Sequence, residues 1–133
     1  PPIPFLAVLL AWIFFWEIGG QNIPNDLTDL EADRRFGAKT VPVTLGALRS
    51  ALLAMGCLVA AYLLTFVLMW VSPLNAGAVL LTALAAVGVW LLLLPALRLV
   101  EGNDRRQAMD LFNKASYFPL SVLAMVLVRV LFV

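Results

Sequence analysis

Histidine is absent from this 133-residue chain, and cysteine occurs once, as Cys57. Those counts exclude a disulfide framework and a Cys/His zinc site, and they remove the commonest general base. Any chemistry must run on carboxylates, cations, tyrosine or a bound metal. Charge is scarce as well: 13% of residues are charged and 63% are hydrophobic, against about 25% charged in an ordinary soluble domain. A chain of this size cannot hide so much apolar surface within itself, so the excess faces lipid. The net charge of +1 says nothing about nucleic acid, and with no basic run and no aromatic-basic interleaving no nucleic-acid partner is expected. The start, Pro1-Pro2-Ile3-Pro4, lacks the basic stretch that a signal peptide places ahead of its apolar core. We therefore expect a piece of a longer membrane protein, beginning in a loop just before a span.

Four apolar segments stand out, at about 3–20, 48–71, 74–97 and 115–133. Each approaches the ~20 residues that cross ~30 Å of hydrocarbon as a helix. Continuous apolar runs of this length are not barrel strands, so the expected fold is an all-α, multi-span transmembrane bundle in one domain. The connections differ: polar segments at 21–47 and 98–114, and an uncharged turn around Ser72-Pro73-Leu74-Asn75. With Arg49, the two polar segments hold eight of the nine Lys and Arg residues. They are two spans apart, so they share one side of the membrane, and the positive-inside rule makes that side cytoplasmic. Trp12, Trp16 and Trp70 lie near span ends, where indoles favour headgroups, whereas the mid-span Trp90 is expected between helices. Ala54, Gly56, Ala60, Ala61, Ala76, Gly77, Ala83, Ala86 and Gly88 would allow close helix approach. Pro95 is expected to kink or end its span, and Pro119 to lie in the first turn of the last one.

The segment Asn25–Thr40 packs four carboxylates and three cations into an otherwise apolar chain. On a helix over 25–35, with Pro24 at its first position, Asp26, Asp29 and Asp33 fall at i, i+3 and i+7. They then share about 60° of arc. Like charges on one face repel, and a bound cation reverses the sign of that interaction. Hard carboxylate oxygens with room for water and phosphate suit Mg²⁺. A helix dipole and a solvated loop would account for the same acids without a metal. Glu31 and Arg35 point away from this face.

The string from Asp26 to Gly46, D-L-T-D-L-E-A-D-R-R-F-G-A-K-T-V-P-V-T-L-G, resembles the second aspartate-rich motif of the UbiA-type intramembrane prenyltransferases. Asp29, Asp33, Arg34, Gly37, Lys39, Thr40, Pro42 and Val43 match it in register. Asn25-Asp26-x-x-Asp29 also satisfies the family's first motif, but the run from Lys39 to Val43 is similar to the second. The resemblance covers essentially the whole chain and implies the C-terminal part of a nine-helix enzyme. It implies transfer of a prenyl chain from a prenyl diphosphate donor to an aromatic, quinone-precursor-type or other lipophilic acceptor. Mg²⁺ held by Asp26, Asp29 and Asp33 would assist ionisation, with Lys39 and Arg34 on the diphosphate. Asp29, Asp33 and Lys39 would be the catalytic set. Arg105, Arg106 and Lys114 fit positive-inside anchoring better than diphosphate contact, and Arg129 is expected to snorkel to an interface.

The first motif is missing from these residues. It would come from an N-terminal half of the same protein, so this chain alone is expected to be inactive. A CDP-alcohol phosphotransferase would carry D-G-x-x-A-R, which does not occur. A transporter or structural subunit with purely topological loop charges is the alternative. Hydroxybenzoate-type members tend to carry D-x-x-Y-A-x-x-D, unlike this chain; naphthoate, homogentisate and phospholipid-precursor branches fit equally. A bacterial or archaeal cytoplasmic membrane is the expected location.

Overall fold

The computed structural model describes residues 2–132. Pro1 and Val133, the latter the expected end of the last span, lie outside the described residues. The chain is 89% helical, with no strand among the described residues. Four continuous helical runs cover Pro2–Thr28, Ala47–Val71, Gly77–Gly102 and Arg105–Phe132. At 1.5 Å per residue they are about 38–42 Å long, more than the ~30 Å hydrocarbon core requires. All four are long and apolar enough to cross a membrane, and the protein is an integral membrane bundle.

Among the described residues there are eight α-helices: α1 (Pro2–Glu17), α2 (Ile23–Thr28), α3 (Leu30–Arg35), α4 (Val41–Leu45), α5 (Ala47–Val71), α6 (Gly77–Gly88), α7 (Leu94–Gly102) and α8 (Arg105–Phe132), of which the short α3 and α4 lie between the first two runs. A π-turn at Ile18–Asn22 joins α1 to α2, and another at Val89–Leu93 joins α6 to α7. In them Ile23 N–H bonds Ile18 O and Leu94 N–H bonds Val89 O, five residues back. Each π-turn ends two residues before a proline, Pro24 and Pro95. Proline has no N–H to give, and the widened turn lets the helix continue past it. Pro24 therefore lies inside a long helix rather than starting one, and Pro95 does not end its span.

The helices also run further into the polar segments than the apolar pattern suggests. Arg98–Gly102 belongs to α7 and Arg105–Lys114 to α8, leaving Asn103-Asp104 as the link. Asn103 adopts φ 48° and ψ 47°, the left-handed conformation asparagine tolerates, and ends α7. Asp104 Oδ1 then accepts from Gln107 N at 2.8 Å and caps α8. Pro119 consequently sits well inside α8, not in its first turn.

The core is built from fully buried Ile23, Leu58, Leu84, Leu92, Leu99, Leu111 and Phe118. α1 packs along α5, α2 lies against α8, and α7 wedges between α5 and α8. Ala54, Ala61 and Gly88 are buried as close-approach positions, but Gly56 faces open space. Trp90 is 60% exposed rather than set between helices. Trp12 reverses its expectation in the other sense. It is buried, its indole donates to Thr65 Oγ1 at 2.9 Å, and the Thr65 hydroxyl in turn donates to Ala61 O. Away from water, each of these groups must find a partner inside the protein.

Candidate functional site

α8 is the platform against which the acidic segment is held, and prolines create the attachment points. Pro119 supplies no N–H to the carbonyl of Ala115; Trp16 Nε1 donates to that oxygen at 2.9 Å. Pro24 likewise leaves Gly20 O free, and Gln21 Nε2 donates to it at 2.7 Å. The same amide reaches Phe112 O at 3.2 Å, and Ser116 Oγ donates to Gln21 Oε1 at 3.2 Å. Trp16 is thus a polar tie between helices rather than a headgroup anchor. Beneath these bonds the backbones approach closely. A Cβ on Gly19 would stand 2.7 Å from Ala54 O, and one on Gly20 2.8 Å from Ala115 Cβ.

Above this clamp the continuous helix expected over 25–35 breaks at Asp29, whose φ −103° and ψ 11° are not helical. The run Asn25-Asp26-Leu27-Thr28-Asp29 is rich in short polar side chains that compete for backbone groups. Thr28 Oγ1, for example, donates to Asn25 O at 2.6 Å. Helix resumes at Leu30, with Asp33 N bonded to Asp29 O at 2.8 Å.

The residues after the aspartates divide into scaffold and chemistry. Gly37, at φ +70°, ends α3: Ala38 N bonds Asp33 O at 3.0 Å and Gly37 N bonds Arg34 O at 3.3 Å. This is a Schellman turn, and its left-handed position favours glycine. Thr40 Oγ1 accepts from Val43 N at 3.4 Å as N-cap of α4, and Pro42 occupies the first turn, where it is tolerated. Gly37, Thr40 and Pro42 are therefore explained by the backbone. Asp26, Asp29, Asp33, Arg34 and Lys39 are left without a structural task of that kind.

Asp26 and Asp33 are half-buried, Asp29 and Lys39 exposed. Asp26 lies beyond the apolar part of its run. Asp33 and Asp29 stand near enough to act on it electrostatically across the break. Even so, among the described residues no three His, Cys, Asp or Glu side chains converge tightly enough to cage one ion. Arg34 leans to Glu31 at 3.5 Å; with side chains 48% and 80% exposed, that pair contributes little. Arg105, for which positive-inside anchoring is the preferred reading of the sequence over diphosphate contact, donates from Nε to Thr28 O at 3.1 Å. This bond joins the two polar segments at one end of the bundle. Arg129 reaches Asn75 O at 2.8 Å at the other end. A recess of about 630 Å³ between Ala76–Leu80 and Ala124–Arg129 also lies at that far end. It is apolar and remote from every charged side chain of the acidic segment.

Four helices long and apolar enough to cross a membrane, with carboxylates and cations gathered on one polar end, define an integral membrane protein. The model of the UbiA prenyltransferase family matches residues 1–127, and the chain belongs to that family of membrane prenyltransferases. No curated protein and no solved structure shows a significant match to it.

Proposed function

We propose that this chain forms the C-terminal half of a Mg²⁺-dependent enzyme that transfers a prenyl chain from a prenyl diphosphate to an aromatic or other lipophilic acceptor. The observation that carries the reading is the acidic segment. Three carboxylates, two of them near enough to the third to act on it electrostatically, stand at the polar end of a membrane helix, in a chain whose family transfers prenyl groups. The donor set suits Mg²⁺: hard oxygens only, no soft ligand, and no closed cage of three acids. That leaves coordination positions for water and for diphosphate oxygens, as this ion prefers. Bound there, Mg²⁺ would offset the charge that builds on the leaving diphosphate.

Each residue then has a part. Asp29 at the break and Asp33 one turn beyond it hold the metal side of the site, with Asp26 one turn before the break as a third acid. Lys39 and Arg34 hold the diphosphate oxygens. Arg34 is free to do so because its contact with Glu31 is weak and solvated. The first aspartate-rich motif would come from the N-terminal half of the same protein, so the isolated chain does not turn over. The polar end faces the cytoplasm, where prenyl diphosphates are water-accessible, and the prenyl tail lies in the bilayer among the spans.

The test is prenyl transfer by the full-length protein with Asp29→Asn or Asp33→Asn. Both variants should fold and lose Mg²⁺-dependent transfer by about 10²-fold or more, the usual scale for removing an electrostatic stabiliser. Retention of full activity in both would favour a protein whose loop charges serve topology alone.

A further inference from the structure

The last turn of α2 leaves its carbonyls without helical partners, and three of the four find a substitute. Asn25 O accepts from Thr28 Oγ1, and Asp26 O accepts from Asp29 N at 3.3 Å. Thr28 O accepts from Arg105 Nε at 3.1 Å, across 77 positions of sequence. Arg105 opens α8, and its place is fixed from both sides. The left-handed Asn103 turns the chain out of α7, and the Asp104 cap starts α8 immediately before it. A cleft of about 190 Å³ separates the two polar segments, with Thr28 and Glu31 on one wall and Asn103, Asp104 and Arg105 on the other.

We propose that Arg105 is a positioning residue for the acidic segment: by holding the Thr28 carbonyl it fixes the bend at Asp29. The bend sets the direction in which Asp29 and Asp33 leave α2. Guanidinium suits the task, because its Nε–H is rigidly placed and does not lose its proton at working pH. The neighbouring Arg106 faces a different recess, shared with Arg98, Asp110 and Lys114. A charge at position 105 and a charge at position 106 are therefore separable by experiment. The inference rests on the prenyltransferase reading above for its functional consequence, though not for its structural one.

Two measurements on the full-length protein test it. In hydrogen exchange, Arg105→Gln should raise exchange of the amides from Asp29 to Phe36, and Arg106→Gln should not. In a Mg²⁺ titration of prenyl transfer, Arg105→Gln should raise the concentration for half-maximal rate about tenfold, the scale of one hydrogen bond from a charged donor. The rate at saturating Mg²⁺ and the KM for the diphosphate should stay within about twofold. Arg105→Lys should recover most of the shift, and Arg106→Gln should follow the wild type. Unchanged exchange in Arg105→Gln overturns the proposal whatever the metal dependence. Equal shifts in the Gln variants of 105 and 106 overturn it too, since charge rather than placement would then matter. A wild type that transfers prenyl groups without any divalent cation sinks the functional reading instead, and the exchange result still decides the positioning role.

Discussion

Replacing Gly19 by alanine probes how the acidic segment is held from below. The added Cβ would meet Ala54 O at 2.7 Å, Cys57 Cβ at 2.8 Å and Leu58 Cγ at 3.0 Å. Two of these atoms belong to the α5 backbone or its first side-chain carbon, so neither can swing away. The helices must part by about 0.7 Å to reach ordinary contact. Overpacking of this kind costs about 1–3 kcal/mol, while alanine returns up to about 1 kcal/mol of helix propensity. A net loss of about 1 kcal/mol or more follows, read as a lower melting temperature in detergent or nanodiscs. Gly19 lies two helical turns before Asp26 on the same continuous run, so the displacement reaches the site. Misplacement near 1 Å can cost about 10²-fold in rate, and this smaller shift should cost about tenfold. Gly56→Ala is the control: nothing lies within 4 Å of its Cβ, so the same exchange on α5 should be neutral or stabilising. If Gly19→Ala matched Gly56→Ala in stability and rate, the close-approach reasoning would be refuted.

Other outcomes follow from the same geometry. Trp16→Phe removes the donor to Ala115 O and should cost about 1–3 kcal/mol. Pro119→Ala restores a helical N–H to that oxygen, so it should stabilise the Trp16→Phe protein more than the wild type, a non-additivity visible in a double-mutant cycle. Gly37→Ala places a side chain at φ +70° with no steric contact, so its cost of about 1 kcal/mol should be backbone strain alone, measured by thermal unfolding. Asp26→Asn removes one member of a mutually repelling set. Without divalent cations it should raise the melting temperature, whereas added Mg²⁺ should stabilise the wild type more than the variant. Equal Mg²⁺ stabilisation of the two would remove Asp26 from the metal site.

The helical class and the four spans were legible because hydrophobic content alone dictates them in lipid. The acidic cluster was visible in the sequence and its family legible from the residues following it, but the single helical face expected for it is interrupted at Asp29. Helix ends were less so. A lipid-facing helix is apolar on its buried and exposed sides alike, so periodicity does not say which tryptophan points inward; Trp12 and Trp90 exchanged places for that reason. Pro24, Pro95 and Pro119 read locally as starts and stops. Their helices continue because π-turns and side-chain donors, Gln21 close by Pro24 and Trp16 from another helix at Pro119, compensate for the missing N–H groups. Nothing adjacent to Pro119 in sequence announces the rescue by Trp16. The break at Asp29 was signalled by its cluster of short polar residues, a signal outweighed by the attraction of an unbroken carboxylate face. The bond from Arg105 to Thr28 depends on two segments far apart in the chain, and only the packed bundle brings them together.

The most direct test of the account is a structure of the full-length protein with Mn²⁺ in place of Mg²⁺ and a non-hydrolysable prenyl thiodiphosphate. Anomalous scattering should place a metal at about 2.0–2.3 Å from carboxylate oxygens of Asp29 or Asp33 and in contact with the diphosphate. A diphosphate bound with its metal away from both aspartates would contradict the assignment of this segment as a metal and diphosphate site.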